Sequence, residues 1–290
     1  MDGLTNISTI KELMERHGFH FSKALGQNFI VNPSVCPRIA EMGGAVGCGV
    51  LEIGAGFGVL TDQLAQVAQK VVCVEIDQRL LPVLDETLAE YDNVTIVNKD
   101  VMETDLKALI AEHFAGMEVV VCANLPYYIT SPILMRLLEE DLPVKSITVM
   151  VQKEAGERIC ARPGTRQSGA LTAAVWFYSE PRQLFHVSRG SFMPAPDVDS
   201  SVIRLDVRAE APVEVTDKKD FFRVVKAAFA QRRKTVHNSL ASALGLSKEK
   251  VGEAMDRAGV ARNARAEQLG LEEFAAIANA MHDIFKEGSK

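Results

Sequence analysis

The sequence predicts a doubly wound α/β fold, with helices on both faces of a largely parallel sheet, followed by a small all-helical domain. Short apolar runs alternate with helical periods as far as Gln152, which is typical of strands buried on both faces. Beyond Ala211 only helical periods follow. We therefore assign residues 1–210 to an α/β domain and residues 211–290 to a helical domain.

The strands and helices of the α/β domain follow one another in order. Strands are predicted at Gly49–Ile53, Val71–Glu75, Val94–Val97, Val119–Ala123 and Ile147–Gln152. Helices are predicted at Leu60–Ala68, Leu80–Glu90 and Ile133–Glu140. Two later segments, Gln183–Val187 and Val202–Val207, alternate in polarity like antiparallel strands. The sheet is therefore expected to end in an antiparallel strand.

Composition excludes several classes of protein. Hydrophobic residues make up 47% of the 290 residues and charged residues 24%, as in soluble globular proteins. The five cysteines include no C-x-x-C pair, which excludes that metal or redox motif and disfavours a secreted disulfide framework. No apolar run approaches the roughly 18 residues of a membrane span, and no signal-peptide pattern opens the chain. We expect a cytoplasmic protein without a membrane anchor.

The net charge of −6 hides an uneven distribution. Residues 1–210 carry 18 basic and 27 acidic side chains, whereas residues 211–290 carry 14 and 11. Taken as one continuous helix, the segment from Phe222 to Leu240 has an apolar stripe beside a basic arc, with Arg232 on the apolar side. The arc is formed by Arg223, Lys226, Arg233 and Lys234. It is either a solvated helix face or a patch that contacts phosphates.

A glycine-rich turn directly follows the first strand. The segment Glu52–Gly58 reads Glu-Ile-Gly-Ala-Gly-Phe-Gly, and glycine lets a backbone turn tightly beside a ligand. Gly54 and Gly56 are compatible with both nicotinamide sites and methyl-donor sites. The dinucleotide fingerprint needs another glycine at position 59, where this chain has Val59, and this disfavours a nicotinamide dehydrogenase.

Acidic residues follow the next two strands. Glu75 lies 21 residues after Gly54, where a carboxylate can accept hydrogen bonds from both ribose hydroxyls of an adenosine-containing cofactor. The alternative is an exposed acid at a strand end. Asp100 follows the third strand; it either accepts from the exocyclic amine of adenine, with Val101 against the ring, or caps a helix.

The tetrad Asn124-Leu125-Pro126-Tyr127 follows the fourth strand. The Asn124 side-chain oxygen and the Leu125 carbonyl can each accept one N–H of a planar amino group, which localises the nitrogen lone pair. Pro126 has no competing N–H, and Tyr127 can stack on a base. The alternative is an ordinary turn, since Asn-x-Pro sequences favour turns. With no H-E-x-x-H motif and no Cys or His in a nucleophile constellation, we expect neither a metal site nor a hydrolase.

With these motifs in this order, the chain resembles the small-subunit ribosomal RNA adenine N6,N6-dimethyltransferases (KsgA/RsmA type) along nearly its whole length. Residues 20–32, with Leu25–Ile30, resemble the family's closing segment over the donor, and Ala228–Thr235 resembles the start of its helical RNA-binding domain. Val151–Glu154 and Phe192–Pro196 match two further family segments. The resemblance implies a Rossmann-like methyltransferase sheet and S-adenosyl-L-methionine as cofactor.

The resemblance also implies roles for the matched residues. The catalytic residues would be Asn124, Leu125, Pro126, Tyr127 and Phe192. The cofactor ligands would be Asn28, Ile30, Gly54, Gly56, Glu75, Asp100, Val101 and Asn124. The RNA contacts would come from the basic arc. Judged without the resemblance, Phe192 is a loop aromatic tucked into the core.

The implied reaction transfers methyl groups from S-adenosylmethionine to N6 of two adjacent adenosines in the 3′-terminal hairpin loop of small-subunit (16S) rRNA. The substrate would be an immature ribosomal subunit, and the enzyme is expected to be a monomer. Three alternatives stay open: an adenine methyltransferase for large-subunit rRNA (the resistance type) or DNA, an assembly factor acting mainly by binding, and a nicotinamide dehydrogenase. The segments after residue 190 favour the small-subunit type.

Overall fold

The computed structural model describes residues 3–22, 25–231 and 233–287. Contacts divide the chain into two compact units. The first is formed by Met1–Gly156 with Pro181–Val207, and the second by Glu157–Glu180 with Arg208–Lys290. The sequence analysis places all of residues 1–210 in one domain, whereas the contacts of residues 157–180 lie within the second unit.

Strands and helices alternate through most of the first unit, and further helices make up much of the second unit. The strands are β1 (Phe29–Ile30), β2 (Gly49–Ile53), β3 (Lys70–Glu75), β4 (Val94–Asn98), β5 (Val119–Asn124), β6 (Ser146–Gln152), β7 (Ser179–Val187), β8 (Phe192–Met193) and β9 (Ser200–Val207). The helices are α1 (Ile7–Arg16), α2 (Val35–Met42), α3 (Val59–Ala65), α4 (Leu81–Thr87), α5 (Leu106–His113), α6 (Thr130–Glu139), α7 (Lys153–Cys160), α8 (Ala170–Tyr178), α9 (Lys218–Phe229), α10 (Val236–Leu244), α11 (Lys248–Arg257) and α12 (Leu271–Glu287).

The described residues form a seven-stranded sheet with the order β4-β3-β2-β5-β6-β9-β7. Strands β2 to β6 pair in parallel, and β9 pairs antiparallel with β6. The predicted doubly wound sheet with an antiparallel end is therefore confirmed. The apolar strand β2 is buried along its whole length, as expected for a central strand covered on both faces.

The register of the parallel strands brings their carboxyl ends to one edge. Ile53 pairs with Val74 on one side and with Ala123 on the other. The residues that follow these partners, Gly54 and Glu75 among them, therefore lie side by side. This edge is where open α/β sheets bind ligands.

A short second sheet joins two segments far apart in the sequence. Phe29 of β1 pairs with Met193 of β8, and Ile30 pairs with Phe192. Phe29 also belongs to a cluster of aromatic rings from the N-terminal segment and the glycine turn, with centroids 4.5 to 6.2 Å apart: Phe19, Phe21, Phe29 and Phe57. The pairing and the cluster hold the predicted closing segment in place.

The second unit is helical around an aromatic core. Helix α8 is almost entirely apolar, and its Phe177 lies 4.7 Å from the Phe221 ring of α9. Tyr178 stacks on Phe222, with centroids 5.2 Å apart and ring planes 8° from parallel. These apolar contacts explain why residues 157–180 group with the helical unit.

The continuous helix predicted from Phe222 to Leu240 is wrong. Helix α9 ends at Phe229, and α10 begins after Thr235, whose side chain accepts a hydrogen bond from the Asn238 backbone N–H. A threonine cap of this kind starts a new helix and breaks the periodicity. Arg233 and Lys234 consequently lie in the turn between the helices, and Arg232 lies outside the described residues.

Across the described ranges, no helix combines the length and the apolar character needed to cross a membrane.

Candidate active site

A cavity opens at the carboxyl edge of the sheet, within the first unit. It encloses about 1210 Å³ including its open mouth. All of the predicted cofactor ligands and the whole predicted tetrad line it: Asn28, Ile30, Gly54, Gly56, Glu75, Asp100, Val101, Asn124, Leu125, Pro126 and Tyr127. The structure therefore brings together residues spread over a hundred positions of the chain.

The glycine turn forms the floor of this cavity. Gly54 has φ +78° and Gly56 has φ +59°, in the left-handed region that favours glycine. A Cβ at Gly56 would lie 2.9 Å from the Phe29 ring. Gly56 thus allows the closing segment to pack directly on the turn.

Glu75 is tied to the glycine turn through one carboxylate oxygen. Its Oε2 accepts a hydrogen bond from the Gly56 N–H at 3.1 Å, and its Oε1 accepts from the Asp77 N–H at 2.8 Å. Burial raises the pKa of Glu75 above its ordinary value, and the two backbone donors act in the opposite direction. Each carboxylate oxygen keeps a second lone pair, so hydroxyl donors can still be accepted.

Asp100 holds the turn that follows it and keeps one carboxylate oxygen available, so its adenine-binding role stays a prediction. Its Oδ1 accepts from the Met102 N–H at 2.7 Å, which caps the following turn. No described residue donates to its Oδ2, which is therefore free for a ligand amine. The turn is held from outside by Arg136 of α6, whose guanidinium donates to the carbonyls of Val101 and Thr104. Sequence reasoning missed Arg136 because nothing marks a helical arginine as a backbone clamp.

The Asn124 amide is oriented by the closing segment. Its Nδ2 donates to the backbone carbonyl of Asn28 at 3.1 Å, and the Asn28 side chain donates to the Gly26 carbonyl at 3.1 Å. Because Nδ2 faces a carbonyl, Oδ1 is the atom left over, and no described residue donates to it. The Leu125 carbonyl likewise has no described donor. Two acceptors in adjacent residues are thus available to an amino group.

Tyr127 is fixed through its hydroxyl. Its Oη lies 2.6 Å from the Oγ of Ser200, the first residue of β9, which is fully buried. Burial raises the pKa of Tyr127, so the phenol stays neutral at physiological pH. The hydrogen bond to Ser200 therefore fixes the ring and gives the buried hydroxyl a partner. Sequence reasoning missed Ser200, because no local pattern links it to a residue 73 positions away.

The closing segment is anchored on a second side through Gln27. Its Nε2 donates to Asp77 at 2.8 Å, and its Oε1 accepts from the Ser22 N–H. Hydrogen bonds from Arg79 lower the pKa of Asp77, which keeps this carboxylate ionised. The predicted segment 20–32 includes positions 23 and 24, which lie outside the described residues.

Phe192 is not among the residues that line the cavity. Its side chain is 5% exposed and lies in the hydrophobic core, paired with Ile30. As the structure places it, Phe192 supports β1, which carries part of the cavity wall.

A second buried carboxyl lies behind the glycine turn. Glu52 is fully buried, accepts from the Cys73 thiol at 3.0 Å, and has one oxygen without a hydrogen-bond partner among the described residues. Burial raises the pKa of Glu52 to about 7. Glu52 does not line the cavity and so differs from Glu75 in its access to a ligand.

Comparison with known proteins assigns the chain to a family. The model of the family described as "Ribosomal RNA adenine dimethylase" matches residues 18–283. The chain belongs to the ribosomal RNA adenine dimethylase family. It is 49% identical to the "Ribosomal RNA small subunit methyltransferase A" of Bacillus mycoides (strain KBAB4), over 97% of this chain and 98% of that protein. The same identity and coverage hold for the protein of that name from Bacillus cereus (strain AH187).

Solved structures agree with the family at the level of the fold. A crystal structure of the 23S rRNA methyltransferase ErmE covers 88% of this chain and 100% of its own, with 28% identity and a TM-score of 0.66. A dimethyladenosine transferase from Plasmodium falciparum covers 90% of this chain and 98% of its own, with 24% identity and a TM-score of 0.72. The predicted fold class and the predicted enzyme class are confirmed.

As a ribosomal RNA adenine dimethylase, the protein uses S-adenosylmethionine as methyl donor. The cavity fits this cofactor. A Cβ on Gly54 would meet nothing within 4 Å, so the backbone there is open to a ligand. Glu75 offers carboxylate oxygens at the sequence spacing predicted for a ribose ligand, and Asp100 has a free Oδ2 beside Val101. These residues present oxygen acceptors and apolar surface, which suit the hydroxyls, amine and ring of an adenosine group.

The role of Glu75 predicts how donor affinity depends on pH. We propose that Glu75 binds the ribose hydroxyls of the donor. Because the ionised carboxylate is the form that accepts from both hydroxyls, the affinity for S-adenosylhomocysteine should fall as the pH drops through the pKa of Glu75. Because burial raises this pKa, the loss should begin above the range of an ordinary glutamate, about 4.3. Glu75→Gln should weaken binding by about ten- to a hundredfold at neutral pH and flatten the profile, as measured by calorimetry.

Glu52→Gln is the matched control, since Glu52 is also buried but does not line the cavity. This variant should keep the pH dependence of donor affinity. A profile that is flattened by Glu52→Gln and retained in Glu75→Gln would contradict the assignment.

The hydroxyl contact at Tyr127 predicts an effect of Ser200. Ser200→Ala should lower kcat/KM for RNA by about two- to tenfold, the range of one hydrogen bond, and leave donor affinity unchanged. Combining it with Tyr127→Phe should add little, because both changes remove the same bond.

Ser201→Ala provides the control for Ser200. Ser201 is fully buried beside Ser200, and its hydroxyl has no hydrogen-bond partner among the described residues. Methylation rates should therefore equal those of the unaltered protein. Equal rates for the two alanine variants would show that the Tyr127 contact does not position the ring.

Proposed function

We propose that the protein dimethylates two adjacent adenosines in the 3′-terminal hairpin loop of small-subunit rRNA, within an immature subunit, as a cytoplasmic monomer. The observation that carries this is the pair of acceptors at Asn124 Oδ1 and the Leu125 carbonyl, in the cavity that also contains Glu75 and Asp100. The 49% identity to small-subunit methyltransferases supports the choice of subunit.

The proposed mechanism uses positioning and dipoles. When bound, S-adenosylmethionine supplies an electrophilic methyl group on a sulfonium with a neutral leaving group. Asn124 Oδ1 and the Leu125 carbonyl each accept one N–H of the adenine amino group, draw it toward tetrahedral geometry and stabilise the positive charge that develops on nitrogen. Pro126 fixes the backbone between the acceptor residues and Tyr127. The tetrad therefore directs the lone pair of adenine N6 at the methyl group of the donor.

No carboxylate base is required in this scheme. Methylated N6 is cationic and loses its proton readily to water. The second methylation begins with one N–H and one methyl on N6, so one acceptor position must tolerate a methyl group. The single remaining N–H then donates to the other acceptor.

The target base must leave its stack to enter the cavity, at a cost of a few kcal/mol. Stacking on Tyr127, whose ring Ser200 holds, offsets part of this cost. Phe192 stays a predicted second aromatic contact. Because its side chain is 5% exposed, contact with a base requires it to move out of the core.

RNA binding is proposed for the basic residues of the helical unit. Lys226, Arg233 and Lys234 are exposed, and the last two occupy the turn before α10. The Arg223 guanidinium lies 4.2 Å from the centroid of the Phe285 ring of α12, which orders it while its N–H groups can still face phosphates. We propose residues 211–290 as the RNA-binding domain.

The alternative of a large-subunit enzyme is supported by the likeness to ErmE, a 23S rRNA methyltransferase. Comparing the methylation rates of immature small subunits and of naked large-subunit RNA distinguishes the two enzymes, because each should methylate its own substrate faster. An assembly factor that acts mainly by binding is the other alternative, and a catalytically dead variant that still supports subunit maturation would favour it.

The acceptor pair predicts a large effect of Asn124→Ala. Methyl transfer to immature small subunits should fall by about a hundredfold or more, in line with loss of one preorganised electrostatic contact. RNA affinity should be unchanged, because the substitution removes no basic group. Transfer of a labelled methyl group gives the rate and filter binding gives the affinity; a variant with more than half of the normal rate would overturn the mechanism.

The basic turn predicts salt-dependent RNA binding. Contact with four or five phosphates gives a slope of about −4 for log affinity against log salt, and Arg233→Gln with Lys234→Gln should reduce its size by about 2. Lys248→Gln with Lys250→Gln removes the same charge from exposed positions of α11 and should leave the slope unchanged. Equal slopes for the two double variants would contradict the assignment.

A further inference from the structure

One aromatic side chain at the mouth of the cavity has no role in the mechanism above. Tyr128 directly follows the tetrad, lines the cavity and is 62% exposed. It is the one aromatic residue among the large apolar side chains that are exposed in the described part of the chain. An exposed aromatic ring beside a nucleic-acid site has a π face available for stacking.

The Tyr128 ring is backed by the closing segment. A Cβ built on Gly26 would lie 3.1 Å from Cδ1 of Tyr128 and 3.4 Å from Cβ of Pro126, so the ring edge packs close to the Gly26 backbone. Gly26 has φ +59°, a conformation in which glycine is favoured. The Gly26 backbone therefore supports one edge of the ring and restricts its positions, which lowers the entropic cost of stacking on it.

Chain connectivity places this ring next to the target base. Tyr127 and Tyr128 are consecutive, and Tyr127 lies deeper, with its hydroxyl held by buried Ser200. A nucleotide joined to the target by one phosphodiester remains outside the cavity when the target base enters it. The exposed ring of Tyr128 is within the chain neighbourhood of Tyr127 and is available to that outer base.

We propose that Tyr128 forms a stacking subsite for the nucleobase adjacent to the methylated adenosine. The inference rests on the proposed function and deepens it, because it makes the enzyme hold two neighbouring bases at once. Stacking on an aromatic ring tolerates any base, so the subsite recognises an unpaired neighbour and not its identity. Substrates whose neighbour stays paired in a duplex are disfavoured.

Tyr128→Leu against Tyr128→Phe tests the subsite. Leucine keeps apolar packing on Gly26 and loses the π face, whereas phenylalanine keeps both. Tyr128→Leu should raise the KM for immature small subunits by about tenfold, within the range known for loss of one base stack. Tyr128→Phe should match the unaltered protein, and the affinity for S-adenosylhomocysteine should be unchanged in both variants.

A fluorescent base identifies the contact. A small-subunit RNA hairpin with 2-aminopurine beside the target adenosine should lose fluorescence on binding the unaltered protein and Tyr128→Phe, and lose much less with Tyr128→Leu. If Tyr128→Leu instead weakens S-adenosylhomocysteine binding, the ring only supports the closing segment and the subsite is refuted. Unchanged KM and equal quenching refute it as well. If the unaltered protein methylates no small-subunit RNA, it is the proposed function that fails.

Discussion

The hydrogen bond from Asn124 Nδ2 to the Asn28 carbonyl is the constraint on which the rest of the site depends. An amide can present either its oxygen or its nitrogen to a substrate, and only the oxygen can accept from an adenine amine. By occupying Nδ2, a backbone group from the N-terminal segment decides which end is presented. The segment is held in turn by the pairing of β1 with β8 and by Phe29 on Gly56.

Three consecutive residues of this segment connect three parts of the site. Gly26 packs against Tyr128 at the mouth, Gln27 donates to Asp77 beside Glu75, and Asn28 orients Asn124. One segment of the chain therefore contacts both the proposed methyl-donor side of the cavity and the side that carries the Asn124 amide. Under the proposed assignment, a shift of this segment would change both sides together and would couple binding of the methyl donor to orientation of the adenine amine.

The sequence predicted the sheet, its antiparallel end and the residues that line the cavity. Each of these has a local pattern in the sequence: a buried strand, a glycine turn or an acid at a strand end. The sequence did not predict contacts between distant segments. The pairing of Ile30 with Phe192, the Ser200 hydroxyl at Tyr127 and the Arg136 clamp depend on tertiary packing. The prediction of one helix from Phe222 to Leu240 was wrong because the apolar periodicity continues across the break. The Thr235 cap that starts the second helix is a weaker sequence signal than that periodicity.

The central claim is that adenine N6 lies between Asn124 Oδ1 and the Leu125 carbonyl. A crystal structure with a bisubstrate ligand, in which adenosine N6 is joined to the methyl-donor portion of the cofactor, tests it directly. The account predicts N6 at about 3 Å from both oxygens, with the Asn124 amide still donating to Asn28. A ligand whose N6 contacts neither oxygen, or an Asn124 amide turned so that Nδ2 faces N6, would contradict the account.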